Sequence, residues 1–85
     1  MHEFSIAMAL MERVKAHLPK NTRLKSVTVR AGELRRIDPD ALQAAWQALT
    51  PELQSPSAKL NLQETTGDEL VLLSLDVDPI ELGSV

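Results

Sequence analysis

Residues 24–31, Leu24-Lys25-Ser26-Val27-Thr28-Val29-Arg30-Ala31, read as a β-strand, and the rest of the fold is arranged around that reading. Lys25, Val27, Val29 and Ala31 alternate with Ser26, Thr28 and Arg30, the period-two pattern of a half-buried strand with its valines turned inward. Gly32-Glu33-Leu34 ends it. Helical patterns lie on both sides. Upstream, Phe4, Ala7, Met11, Val14 and Leu18 recur at spacings of three and four, with Ile6 and Leu10 widening the stripe. This predicts a helix from Glu3 to Leu18, stopped by Pro19, with Phe4 anchoring its start against the core. Downstream, Asp38-Pro39 supplies an N-cap and a first-turn proline. The helix they begin carries Leu42, Ala45, Trp46 and Leu49 on one face and stops at Thr50-Pro51, because the residue before proline avoids helical geometry. Trp46 is expected in the core.

Two further strands follow a Pro- and Ser-rich loop over 51–57. Ala58 to Glu64 alternates, with Leu60 and Leu62 against Lys59, Asn61 and Gln63. After a turn at Thr66-Gly67-Asp68, Leu70 to Val77 places Val71, Leu73, Leu75 and Val77 on one face and Leu70, Leu72 and Ser74 on the other. Apolar residues on both faces suggest a central strand, or a face used by a partner. The expected fold class is α+β, in the order α-β-α-β-β, with two helices packed on one face of a three-stranded mixed sheet. The helix between the first two strands is long enough for a parallel crossover, and the last two strands are expected to pair as a hairpin. Residues 1–78 form the expected single domain and 79–85 a loose C-terminal tail.

The composition narrows the function. An 85-residue chain buries roughly 60% of its unfolded surface, enough for one small domain. At 44% hydrophobic and 25% charged, it is not a disordered sequence. A net charge of −3 argues against nucleic acid, and one Trp, one Phe and no Tyr leave few stacking platforms for single strands. All nine Lys and Arg lie between Arg13 and Lys59, whereas from Leu60 onward there are only acids: Glu64, Asp68, Glu69, Asp76, Asp78 and Glu81. No stretch reaches the length of a membrane span, and the N-terminus lacks the layout of a signal peptide. The absence of cysteine excludes disulfides, thiolate zinc sites, iron–sulfur clusters and thiol nucleophiles, and fits the cytoplasmic location expected of the chain. There is no phosphate-cradling glycine loop and no Ser-His-acid order, so the chain does not read as an enzyme.

Met1-His2-Glu3 carries the chemistry that remains. The α-amine of Met1, the amide nitrogen of His2 and the His2 Nδ1 can close two fused chelate rings around one ion, with a coordination position left over. A tetragonal nitrogen donor set suits Ni(II) or Cu(II) better than Zn(II). The alternative for His2 is simply the residue that follows the first methionine. Glu3 either donates a further nitrogen or its carboxylate, or complements the helix dipole. Asp40 or Asp38, at the start of the second helix, would add a ligand if the two helix starts lie together; the alternative for Asp38 is an N-cap. His17 lies about 22 Å of helical rise from His2 and cannot share its ion. Arg35-Arg36 reads as a solvated basic turn.

Several stretches together resemble one family. Met1-His2-Glu3-Phe4-Ser5-Ile6-Ala7 resembles the opening of the HypA/HybF nickel-delivery accessory proteins, and Val27-Thr28-Val29-Arg30-Ala31-Gly32-Glu33-Leu34 resembles their first strand with its Gly-Glu-Leu ending. Asp38-Pro39-Asp40-Ala41-Leu42 is similar to the family's Pro-Glu-x-Leu helix start. Ala58-Lys59-Leu60 and Asp68-Glu69-Leu70 also fit, so the resemblance covers most of residues 1–78 in the right order. Family members carry a zinc ribbon with two Cys-x-x-Cys pairs between the second and third strands. Here that segment is Thr65-Thr66-Gly67-Asp68, so no zinc site is expected.

The resemblance implies a nickel metallochaperone-like accessory protein of NiFe-hydrogenase maturation, binding Ni(II) through Met1, His2 and Glu3. Its implied partners are a HypB-like GTPase and the hydrogenase large-subunit precursor; some family members serve urease instead. The alternative is a docking or scaffold paralogue without metal, which binds the large-subunit precursor or another maturation factor through the apolar last strand. A homodimer through that strand's edge is a further expectation.

Overall fold

A computed structural model describes residues 2–53 and 57–80. The elements are α1 (Glu3–His17), β1 (Thr22–Gly32), a short 3-10 turn (Glu33–Arg35), α2 (Pro39–Leu49), a second 3-10 turn (Thr50–Leu53), β2 (Lys59–Thr65) and β3 (Leu70–Pro79). Both helices pack side by side on one face of the sheet. Ala7, Leu10, Met11 and Val14 of α1 meet Leu42, Ala45, Trp46 and Leu49 of α2 over Leu24, Val27, Val29 and Leu60 of the strands. Asp38 caps α2 as its sequence implies, its Oδ1 accepting from the amides of Asp40 (3.0 Å) and Ala41 (3.3 Å). The helices run in the same direction. Glu3 is tied to Asp38 at their starts, and Lys15 Nζ meets Glu52 Oε1 at 2.8 Å towards their ends.

The strand order corrects one expectation. The sheet is β2-β1-β3, with β1 parallel to β2 and antiparallel to β3, so β2 and β3 do not form a hairpin and β3 is an edge rather than the centre. The physical reason lies at Gly32. After β2 the chain crosses the end of β1, with Gly32 N donating to Glu69 O (2.7 Å) and Leu34 N to Gly67 O (2.8 Å). A Cβ on residue 32 would run into the Gly67 carbonyl, so the crossing requires glycine there. The connection thereby delivers β3 to the far side of β1.

Two register shifts correct the assignment of faces. Lys25 is an extra residue in β1 between the pairs Leu24–Val77 and Ser26–Asp76. Leu24 is therefore buried and Lys25 exposed, although simple alternation put Lys25 on the inward face. Leu73 is the extra residue in β3, between the partners of Thr28 and Val29. The half-buried residues that pack on the core are Leu70, Leu72, Leu75 and Val77, whereas Val71 and Leu73 are exposed. Two residues assigned to the tail are held by the sheet. Pro79 belongs to β3 and Ile80 N donates to Asn21 O at 2.8 Å; residues 81–85 lie outside the described residues.

Candidate metal centre at the start of the first helix

His2 is the N-cap residue of α1. Its side chain makes no capping hydrogen bond and is exposed, while its carbonyl accepts from Ile6 N at 2.9 Å. The imidazole is thus not committed to finishing the helix. Glu3 is the opposite case. It is buried, and its Oε2 accepts from the Asp38 amide at 2.9 Å, stapling the start of α1 to the start of α2. That bond is the largest of several hydrogen bonds that together lower the Glu3 pKa from 4.5 to about 2. The carboxylate of Glu3 is therefore occupied in holding two helix ends together.

A depression of about 270 Å³ lies beside these residues, lined by His2, Glu3, Ile6, Arg35, Arg36 and Ile37. The 3-10 turn brings the two arginines there. It ends with Arg36 in the left-handed region (φ 52°), its amide donating to Glu33 O at 3.1 Å, while Arg35 Nε donates to Asp68 O. The sequence marked this pair only as a basic turn; its position next to His2 depends on how β1 ends, which periodicity does not reveal. Glu33 is exposed in the same turn.

The remaining candidates separate. The two helix starts do lie together, but the Asp38 side chain is engaged as the cap, and Asp40 is exposed and does not line the depression. Phe4 is 53% exposed and anchors nothing in the core, because Ala7, Leu10 and Met11 hold the buried face and Phe4 lies beyond its rim. His17 sits at the far end of α1, its Nδ1 2.9 Å from Arg13 O. Trp46 is fully buried, its Nε1 donating to Ala58 O at 3.1 Å. Met1 lies outside the described residues. Among the described residues no three His, Asp or Glu side chains cluster to hold an ion. A metal held at this end therefore needs main-chain nitrogens as well as the imidazole, a donor set that favours tetragonal ions.

The fold is that of a small α+β domain with an exposed histidine at the start of its first helix. Residues 1–70 match the family described as hydrogenase/urease nickel incorporation, metallochaperone, hypA. The chain belongs to the HypA family. It is 33% identical over 67 residues to the hydrogenase maturation factor HypA of Desulfatibacillum aliphaticivorans, covering 75% of this chain and 52% of that protein. It is 34% identical over 67 residues to the factor of the same name from Solidesulfovibrio magneticus, covering 76% and 57%. The chain thus spans about half the length of the curated relatives it matches. The solution structure of the Ni metallochaperone HypA from Helicobacter pylori superposes with a TM-score of 0.65 at 16% identity, over 94% of this chain and 98% of that one, so the fold is shared. Between β2 and β3 this chain has only residues 66–69, and it contains no cysteine, so no cysteine-based ribbon is inserted there.

Proposed function

We propose that this chain carries Ni(II) for NiFe-hydrogenase maturation, holding the ion through the Met1 amine, the His2 amide and the His2 Nδ1. The observation that carries this reading is the exposed, uncommitted His2 imidazole at a helix start that Glu3 holds in place. Glu3 contributes through its backbone, its carboxylate being engaged by Asp38. Asp40 is left as a ligand only for an ion drawn towards α2. Binding through a deprotonated amide releases protons, so affinity rises with pH. The Arg35 and Arg36 charges on the same depression favour the amidate over the neutral amide. An open coordination position at a chain terminus allows transfer by ligand exchange, with the recipient bound before the donor lets go. A HypB-like GTPase and the hydrogenase large-subunit precursor are the proposed partners, in the cytoplasm.

The test is calorimetric Ni(II) titration of chain beginning at an unmodified Met1, beside His2→Ala and a variant with one residue added before Met1. One ion per chain is expected, lost in both variants. Equal binding by all three would remove the terminus from the mechanism.

A further inference from the structure

A helix with its side chains is about 10 Å across, so α1 and α2 together span about 20 Å. Strands lie about 4.8 Å apart, so three of them make a layer about 14 Å wide and about four would match the helices. The missing width falls on one side. Over β2, α2 is seated directly: Gln43 Nε2 donates to Leu60 O (2.6 Å), and Trp46 Nε1 and Gln47 Nε2 both donate to Ala58 O. Beneath α1, an open groove runs beside β3 instead. It encloses about 650 Å³ where Ala9, Leu10 and Arg13 face Leu70 and Leu72, and continues for about 190 Å³ past His17.

We propose that this groove takes an extended segment of a partner protein as a fourth strand on the free edge of β3, and that the segment has an apolar middle flanked by Lys or Arg. Among the described residues, no side chain hydrogen-bonds to the backbone of Leu70–Pro79, so one side of its ladder is available. Val71 and Leu73 are 38% and 39% exposed and offer apolar cross-strand neighbours. From Leu70 to Leu75 the strand carries no charge, but Asp68 and Glu69 precede this run and Asp76 and Asp78 follow it.

That charge pattern selects the occupant. Two copies of β3 paired antiparallel about Leu72 would set Asp68 opposite Asp76, and about Leu73 would set Asp68 opposite Asp78. Like charges directly opposite destabilise a pair. A strand with basic ends meets the same acids favourably. Asp78 already faces Arg23 across the ladder, so Asp68, Glu69 and Asp76 supply most of the attraction. The inference is independent of nickel and holds whether or not the terminus binds it.

The experiment is an NMR titration of the nitrogen-15-labelled chain, without metal, using the synthetic peptide Lys-Lys-Val-Thr-Val-Thr-Val-Lys-Lys. Two control peptides accompany it, one with Pro for the middle Val and one with Glu for every Lys. Shifts are expected along Leu70 to Leu75 and the α1 flank from Ala9 to His17. Each control should bind at least about tenfold more weakly, a difference of about 1.4 kcal/mol. Leu73→Lys, an exposed substitution, should weaken the first peptide by a similar factor while the rest of the spectrum stays native. Equal binding of the Pro peptide would reduce the effect to charge attraction and overturn strand addition. Shifts away from β3, or no binding by the Lys-flanked peptide, would overturn the site. A chain already dimeric through β3 in sedimentation would replace the proposed occupant with a second copy.

Discussion

At the start of β2 the carbonyls of Leu60 and of Ala58, just before the strand, are taken by Gln43, Trp46 and Gln47, and the helix that supplies those donors lies over the strand. Along β3 the corresponding side is open, beside a groove, with Val71 and Leu73 facing solvent. Both strands flank the same central β1, so the contrast comes from the helices rather than from the sheet. Edge strands invite pairing with other chains, and proteins restrain them with covering elements, charges and bulges. Here β2 has a covering element. β3 has a bulge at Leu73 and acids at its two ends, which discourage self-pairing and leave the edge usable by a different strand.

The comparison can be broken most forcefully at Trp46. Trp46→Ala removes a fully buried side chain together with its bond to Ala58 O, and should cost about 3–5 kcal/mol in urea unfolding. Gly32→Ala tests how β3 reaches its edge. The new methyl meets Gly67 O, and unfolding should show a loss of about 1–3 kcal/mol, with slowed or altered pairing of β3 seen in amide exchange. The Glu3 staple gives a pH dependence confined to acid. Its folded pKa of about 2 lies below the ordinary 4.5, so the stability it adds is present above pH 4.5 and is lost as the pH falls towards 2. Glu3→Gln should therefore flatten the pH dependence of the unfolding midpoint across that interval, and an unchanged slope would show that the staple does not form in solution. Gln43→Ala exposes one carbonyl of the β2 edge and should cost about 1 kcal/mol. Smallest of all, Val71→Lys on the open edge should shift stability by no more than about 0.5 kcal/mol, because Val71 is exposed and lies outside the core. A large loss there would mean that the β3 edge is already occupied.

Much of this arrangement was legible in the residues. The Asp38-Pro39 start, the apolar stripe of α2 and that of α1 from Ala7 onward, the parallel crossover and the buried Trp46 follow from spacing and capping chemistry, and each is found. Strand order was not legible, because it turns on one close backbone approach, Gly32 against Gly67, that leaves no periodic trace. The faces of β1 and β3 were misread at Lys25 and Leu73, since one extra residue in a strand exchanges its two faces. At the terminus, His2 is exposed. The engagement of Glu3 with Asp38, and the placing of Arg35 and Arg36 beside His2, depend on contacts across 30 or more residues of chain that no local pattern encodes.

The crossing from β2 to β3 has a consequence for how such a protein can gain or lose modules. Its later half is pinned, Gly67 and Glu69 by backbone bonds to Leu34 and Gly32, while Thr66 before them is exposed. A Cβ built on Gly67 meets nothing within 4 Å. A cassette spliced in at Thr66 would leave and return through one solvent-facing doorway, with the pinned residues still steering β3 to its place. Exposed sites of this kind tolerate insertion well, and lengthening the excursion costs little closure entropy. Domain gain and domain loss at this point would thereby be uncoupled from the folding of the rest, and the doorway opens beside Arg35, which lines the same depression as His2.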